Sequence, residues 1–166
     1  GEKYKNAYFN KYKNVWTHGD FIEIYDEGGL KIHGRSDATL NPGGVRIGTS
    51  EIYKVVETLP EINDSIIIGQ KISGDERLVL FVKLNSDIEL TKEIITKIRS
   101  EIRSSCSPRH VPTIIIDIDE VPYTINGKKV EISVRNIING LDVTNKNALA
   151  NPASLDQFRN LPELKV

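Results

Sequence analysis

The 166 residues of this chain are enough for one domain with its own hydrophobic core. The chain is 39% hydrophobic and 27% charged, and its formal net charge is -1. Its apolar runs are shorter than the roughly 20 residues of a membrane-spanning helix, which argues against a membrane protein. Its lysines and arginines alternate with acids instead of forming a basic block, which argues against a nucleic-acid-binding protein.

The cysteine and histidine content argues against disulfides and structural metal sites. Cys106 is the only cysteine, and there are three scattered histidines. No charged-then-apolar signal pattern opens the chain, so we expect a reducing, cytoplasmic location and no metal site. The sequence contains no methionine, and its first 20 residues are aromatic and basic without a clean amphipathic period. We therefore expect a segment of a longer protein.

The first half of the chain predicts a hairpin followed by a helix and two strands. Residues 21–33 alternate apolar and polar side chains around a turn at 26–29, which is typical of a β-hairpin. Thr49 or Ser50 can cap a helix whose apolar residues recur at helical spacing until Pro60. The β-branched runs 65–70 and 77–84, joined by a turn-forming stretch, predict paired strands.

The second half predicts two more helices and a third strand. Isoleucines recur on one stripe of 91–105, and the proline-bounded run 112–118 predicts a buried strand. A turn-rich loop then leads to a helix with Val130, Val134, Ile137 and Ile138 inward. The predicted fold is α+β, a small sheet of about three strands with helices covering one face, preceded by a hairpin. Residues 141–166 are predicted to form a surface extension.

The glycine-rich stretch 34–53, GRSDATLNPGGVRIGTSEIY, permits two interpretations. Gly43 and Gly48 have the spacing of a Walker phosphate loop, but the lysine of that motif is missing. The glycines do not fit a dinucleotide-binding fingerprint either. The residues alone favour a chain reversal at 41–44 that leads into a capped helix.

A second motif is PYTINGKK, residues 122–129. Asn-Gly forms a tight turn, and the lysine that follows such a turn is usually a solvated surface charge. A lysine on a glycine loop could equally reach a phosphate or carboxylate, since its ammonium is a compact point charge. The residues alone leave both possibilities open.

Taken in order, the motifs resemble the carboxyl-terminal part of the adenylate-forming acyl-CoA synthetases. They are GD before the hairpin, GRSD, GGVRIGTSEIY, SPRHVP and, about 80 residues after the glycine-rich stretch, PYTINGKK. Their wording is most similar to the acetoacetate-specific members. The resemblance implies that residues 1–36 end a large AMP-binding domain, that 37–140 form the small mobile domain and that 141–166 are an extension.

The resemblance also implies roles around the nucleotide and at the hinge. Asp20 matches the acid that binds the ribose hydroxyls, and Arg35 matches an arginine near the same sugar. Asp37 matches the hinge residue, although many relatives have a second acid where this chain has Ala38. Arg46 matches an arginine that approaches the nucleotide phosphate in the thioester-forming state.

For coenzyme A and for the chemistry, the resemblance implies three further residues. Gly44 matches a glycine that leaves room for the pantetheine arm, and Arg99 matches an arginine that contacts a coenzyme A phosphate. Lys128 matches the adenylation lysine, which stabilises charge on carboxylate and α-phosphate oxygens. Lys129 adjoins it, and the glycine-lysine spacing selects Lys128.

The implied reaction joins acetoacetate and coenzyme A at the expense of ATP, through an acyl-adenylate, with AMP and pyrophosphate as products. Its cofactors are coenzyme A and ATP with Mg. ATP and Mg are bound mainly by the amino-terminal domain of the full-length protein. That domain is the expected partner, so the isolated chain is expected to be inactive. The alternatives are a non-catalytic interaction or regulatory module with the same fold, and a generic nucleotide-binding α+β domain.

Overall fold

The computed structural model describes residues 1–143 and 146–165. The order of hairpin, helix, two strands, helix, strand, loop and helix is confirmed, with one more helix at the start. The elements are α1 Glu2–Tyr8, β1 Asp20–Ile24, β2 Leu30–Arg35, α2 Thr49–Val56, β3 Ile62–Ile72, β4 Asp75–Leu84, α3 Lys92–Ser105, β5 Ile114–Asp117 and α4 Glu131–Ile138. Within the described residues, no helix is both long and apolar enough to cross a membrane.

The main sheet has the strand order β3-β4-β5, with β3 and β4 antiparallel and β4 and β5 parallel. The β3–β4 connection is a tight turn at Ser73 and Gly74, whose φ angles of 34° and 89° are both positive. Such turns suit the natural twist of a hairpin. α3 crosses from β4 to β5, as a parallel pair requires. β1 and β2 form the separate predicted hairpin.

Both faces of the main sheet are buried, so the expectation of one covered face is wrong. The alternation of side chains along β3 sends Ile67 to one face and Ile66 and Ile68 to the other. α2 and α3 cover the first face, and α4 with the carboxyl-terminal segment covers the second. Strands buried on both faces are continuously apolar, which explains the unbroken runs in β3 and β4.

The expectation that residues 141–166 are a surface extension is wrong where the segment enters the core, at Leu149, Leu155, Phe158 and Leu164. Residues 144, 145 and 166 lie outside the described part. The 3-10 segment Pro152–Phe158 buries Leu155 and Phe158, which are each 1% exposed. The ring of Phe158 meets that of Phe81 on β4 edge to face, with 4.9 Å between the ring centroids. The segment therefore completes the second layer of the sheet.

The cap predicted for α2 is also wrong. Gly48, not Thr49 or Ser50, occupies the N-cap position, and its N–H donates to the Glu51 carboxylate at 3.4 Å. The reason is steric, since a Cβ at residue 48 would lie 2.5 Å from the carbonyl oxygen of His33. The close approach of β2 to the start of α2 therefore requires glycine there.

We predict that Phe158→Ala lowers the free energy of unfolding by about 3–5 kcal/mol, because it leaves a cavity against β4. Urea denaturation of the chain measures this. Arg159→Ala is the matched control: the Arg159 side chain is 47% exposed and its partner Asp156 76% exposed, so little should change. A loss below about 1 kcal/mol for Phe158→Ala would contradict the assignment of this segment to the core.

Candidate functional site

All the predicted site residues except Arg99 line three clefts. The hairpin cleft, about 450 Å³, includes Asp20 and Arg46. The lysine cleft, about 380 Å³, includes Arg35, Asp37 and Lys128. The glycine cleft, about 530 Å³, lies between Gly44 and the β3–β4 turn.

In the hairpin cleft, a carboxylate and a guanidinium lie on two different segments. Asp20 begins β1 and is partly buried; one of its oxygens contacts Nδ1 of His18, and the other lies 3.7 Å from the Arg35 guanidinium. Arg46 is exposed, and its guanidinium stacks 4.9 Å above the centre of the Phe21 ring. The structure thus brings Asp20 and Arg46 to one cleft, where they can contact the same anionic or hydroxyl-bearing ligand.

Arg35 organises the chain where β2 ends. Its guanidinium donates to both carboxylate oxygens of Asp37, at 3.3 and 3.4 Å, and to the carbonyl of His18 at 2.8 Å. Gly19 permits this arrangement, because a Cβ there would lie 2.9 Å from the Arg35 guanidinium. The predicted hinge residue and the predicted ribose arginine are therefore direct partners.

The sequence interpretation missed one residue that contacts the predicted hinge residue Asp37. That residue is Arg135. Its guanidinium reaches from α4 to donate to the backbone carbonyl of Asp37 at 2.8 Å. The contact spans 98 positions in the chain. No local motif marks Arg135, since it occupies an ordinary polar position of an amphipathic helix. It links the predicted hinge to the helix that follows Lys128.

Lys128 lies at the end of a tight turn in the lysine cleft. The N–H of Thr124 donates to the carbonyl of Lys128 at 2.8 Å, and the N–H of Lys128 donates back to the Thr124 hydroxyl at 3.0 Å. Gly127 has a φ of 71°, a conformation that few residues other than glycine adopt. The Lys128 side chain is exposed and so can reach into the cleft.

Gly44 borders the glycine cleft. Its φ is 80°, and among the described residues no heavy atom beyond its chain neighbours comes within 4 Å of a Cβ built there. The preceding residues are held to the β3–β4 turn, because the N–H of Gly43 donates to Asp75 at 2.8 Å and that of Asn41 to Glu76 at 2.7 Å. These hydrogen bonds fix the backbone of Gly44 at the mouth of the cleft.

Arg99 does not join the three clefts. Its guanidinium donates to the carbonyls of Pro112 and Thr113, at 3.3 and 2.7 Å, and thereby ties α3 to the segment before β5. This contact accounts for the residue structurally. A contact between Arg99 and a phosphate stays a prediction.

Two partly buried groups have shifted pKa values, Glu131 in the lining of the lysine cleft and Tyr53 hydrogen-bonded to it. Burial raises the pKa of Glu131, at the start of α4, and raises that of Tyr53, on α2. The Tyr53 hydroxyl donates to Glu131 at 3.0 Å and accepts from the N–H of Ile67 at 3.2 Å. The pair thus joins α2, β3 and α4 beneath Lys128.

A cluster of polar side chains lies between the hairpin and α2. His33, 8% exposed, places its ring nitrogens 3.0 Å from Glu51 and 3.1 Å from Glu23. Burial alone would raise the pKa of Glu51, but hydrogen bonds from His33 and the Gly48 N–H, with the charge of Lys31, lower it overall. Across residues 1–143 and 146–165, no group of three or more His, Cys, Asp or Glu side chains is arranged to hold a metal ion.

Comparison with known proteins finds strong similarity to one set of enzymes, although no family model matches the sequence. The chain is 54% identical over 165 residues to the acetoacetyl-coenzyme A synthetase of Rhizobium meliloti (strain 1021), which aligns 99% of this chain with 25% of that protein. It is 48% identical over 167 residues to the Xenopus tropicalis acetoacetyl-CoA synthetase, again with 99% of this chain and 25% of that protein. The chain thus spans about a quarter of the length of these relatives.

Solved structures show the same relationship. An acetoacetyl-CoA synthetase from Streptomyces lividans superposes with a TM-score of 0.86 and 36% identity, covering 95% of this chain and 24% of that one. The anthranilate CoA ligase AuaEII has the same fold, with a TM-score of 0.69 at 21% identity over 81% of this chain. The predicted fold class and the resemblance to adenylate-forming acyl-CoA synthetases are confirmed.

We predict that Glu131→Gln stabilises the chain at pH 7 but not below pH 4.5, the ordinary carboxyl pKa. A glutamate with a raised pKa binds more protons folded than unfolded, so wild-type stability falls as pH rises from 4.5 through the folded pKa. The glutamine oxygen can still accept from Tyr53. Thermal unfolding of both chains against pH measures this, and a pH-independent difference would contradict it.

Proposed function

We propose that the chain is the mobile domain of an AMP-forming acid-CoA ligase, since it is similar in sequence and fold to a quarter of the length of the acetoacetyl-CoA synthetases. The proposed reaction converts acetoacetate, ATP and coenzyme A into acetoacetyl-CoA, AMP and pyrophosphate. The observation that carries the proposal is the placement of Lys128 and Gly44 in different clefts of one domain. One domain then offers a different surface to each half-reaction.

In the first half-reaction, a carboxylate oxygen of acetoacetate attacks the α-phosphorus of ATP and pyrophosphate leaves. Negative charge builds on the phosphate oxygens during this step. The exposed ammonium of Lys128, carried on the tight turn, would stabilise that charge once the lysine cleft faces the nucleotide. ATP and its Mg would be held mainly by the part of the enzyme that this chain does not contain.

In the second half-reaction, the thiolate of coenzyme A attacks the acyl carbon and AMP leaves. The pantetheine arm must pass close to the backbone, and Gly44, with its open Cβ side, provides that passage. Asp20 would accept hydrogen bonds from the ribose hydroxyls, with Arg35 beside it. Arg46 would meet the phosphate of the AMP group, and we keep Arg99 as a candidate coenzyme A contact.

We propose that the structure has the arrangement used for thioester formation. Two observations support this. Arg46 shares the hairpin cleft with Asp20, whereas Lys128 lies in another cleft. Adenylation would then require a rotation about Asp37. In that rotation the hydrogen bonds that Asp37 accepts from Arg35 and Arg135 would change.

The hairpin supports the proposed division at residues 36 and 37. Its outward face carries Ile22, Ile24, Leu30 and Ile32, which are 46%, 70%, 65% and 65% exposed. An apolar patch of this kind marks an interaction surface. We propose that residues 1–36 end the large AMP-binding domain, which covers this face, and that 37–140 form the small domain, with 141–166 following it.

The isolated chain is expected to be inactive, because the phosphate-binding loop and acid pocket would lie in the large domain. We also propose a cytoplasmic location, in keeping with the single cysteine, Cys106.

We predict that, in the full-length enzyme, Lys128→Ala lowers the adenylation rate at least about 100-fold, because a positioned charge is lost. Thioester formation from supplied acyl-adenylate should be spared. Gly44→Leu should show the reverse pattern, because its side chain would obstruct the pantetheine path. Pyrophosphate release and single-turnover thioester formation measure the two steps separately.

The matched control for Gly44→Leu is Gly140→Leu. Gly140 also has a positive φ, 72°, with open space around it, so it carries the same backbone strain away from the hinge at Asp37. That variant should leave the ratio of the two rates unchanged. Equal losses in both half-reactions for Lys128→Ala and Gly44→Leu would contradict the two-surface account.

A further inference from the structure

Two adjacent lysines of the PYTINGKK loop have opposite environments. Lys128 is exposed, whereas the Lys129 side chain is 15% exposed and points into the domain. The Lys129 ammonium contacts the Glu57 carboxylate, lies 2.7 Å from Asp64 and donates to the carbonyl of Ser65 at 2.6 Å. All three donor hydrogens of the ammonium thus have acceptors.

The acceptors of this cluster are themselves held in place. The Tyr123 hydroxyl donates to the second oxygen of Asp64 at 2.8 Å, and the Ser65 hydroxyl donates to Glu57 at 2.9 Å. The Lys129 ammonium also lies 4.3 Å from the centre of the Tyr53 ring. A partly buried charge with this many partners has a defined position and is costly to displace.

The cluster ties the loop to two rigid elements. Glu57 directly follows α2, and Asp64 lies in β3, at separations of 72 and 65 residues from Lys129. Lys129 also pairs with Tyr123 across the base of the turn. Lys128 is therefore the chain neighbour of Lys129, whose side chain is held by β3 and by the residue that follows α2.

We infer that Lys129 is a positioning residue for Lys128, an inference that rests on the proposed adenylation role of Lys128. The ammonium of Lys129 anchors the turn, so that the adjacent exposed lysine projects from a fixed point into the lysine cleft. Thioester formation uses the glycine cleft and does not depend on this anchor. Loss of Lys129 should therefore impair only adenylation.

The test uses the full-length enzyme with Lys129→Met, Lys128→Ala and the double variant. Lys129→Met keeps the length of the side chain and removes its charge. Adenylation, measured as pyrophosphate release, should fall about 100-fold in kcat with little change in KM, the size of loss that follows from a small misplacement of a catalytic group. Thioester formation from supplied acyl-adenylate should stay within about 2-fold, well below the effect of a misplaced group.

The double variant tests whether Lys129 acts through Lys128. If it does, Lys129→Met should lower adenylation no further in the Lys128→Ala background, since residues that act as a unit are not additive. Lys97→Met is the matched control, because Lys97 forms an ion pair with Glu61 at 2.7 Å on α3, away from the loop. It should leave both half-reactions unchanged.

Lys129→Met removes the ion-pair partner of the Glu57 and Asp64 carboxylates, whose side chains are 35% and 20% exposed, and this loss can unfold the domain. The variant Lys129→Met with Asp64→Asn removes one of these charges while its amide oxygen can still accept from Tyr123. It should restore folding without restoring adenylation.

Equal losses in both half-reactions would overturn the inference, and so would a further multiplicative loss in the double variant. An unchanged adenylation rate in Lys129→Met, with Lys128→Ala inactive in this step, would overturn it as well. If Lys128→Ala itself retained full adenylation, the proposed function would fail, which is a distinguishable result.

Discussion

Burial of the three-stranded sheet on both faces is the constraint on which the rest of the structure depends. Side chains of β3 and β4 alternate between two apolar layers, one under α2 and α3 and the other under α4 and the carboxyl-terminal segment. Within residues 1–143 and 146–165, both faces of the sheet are covered by apolar side chains. The predicted site residues Asp37, Gly44, Arg46 and Lys128 accordingly lie on connections between the helices and strands.

Under the proposed function, this arrangement would let one small domain serve two half-reactions. The connection after β2 carries Gly44 and Asp37, the proposed hinge residue. The connection after β5 carries Lys128. Hydrogen bonds at Asp37 link these two connections. Asp37 accepts from Arg35 at its carboxylate and from Arg135, on the helix after Lys128, at its carbonyl. A rotation at this residue would exchange one presented surface for the other without disturbing either apolar layer.

Periodicity and local motifs account for most of the fold, whereas Lys128 was selected by the family resemblance and its role stays a prediction. The isoleucine stripe predicted α3, the alternating segment predicted the hairpin, and the apolar runs predicted β3, β4 and β5. The segment 152–158 was misjudged because Leu155 and Phe158 lie on a short 3-10 turn without a recognisable period. Their burial depends on the far face of β4, which a single sequence does not reveal.

Local reasoning also failed where contacts join distant parts of the chain. Gly48 replaced the expected hydroxyl cap because β2 passes too close for any side chain. Lys129 looked equivalent to Lys128, since its acidic partners lie 65 and 72 residues away. Arg135 carried no motif at all. Each of these residues acts through tertiary contacts rather than through its sequence neighbours.

The most direct test of the account is a distance between the hairpin and the lysine turn in the full-length enzyme. Spin labels at the exposed positions Asn10 and Asn126, with Cys106 replaced by alanine, report this distance by pulsed electron paramagnetic resonance. We expect a shorter distance with ATP and a non-reactive acid analogue than with AMP and coenzyme A. An identical distribution in both ligand states would contradict a rotating domain that presents Lys128 and Gly44 in turn.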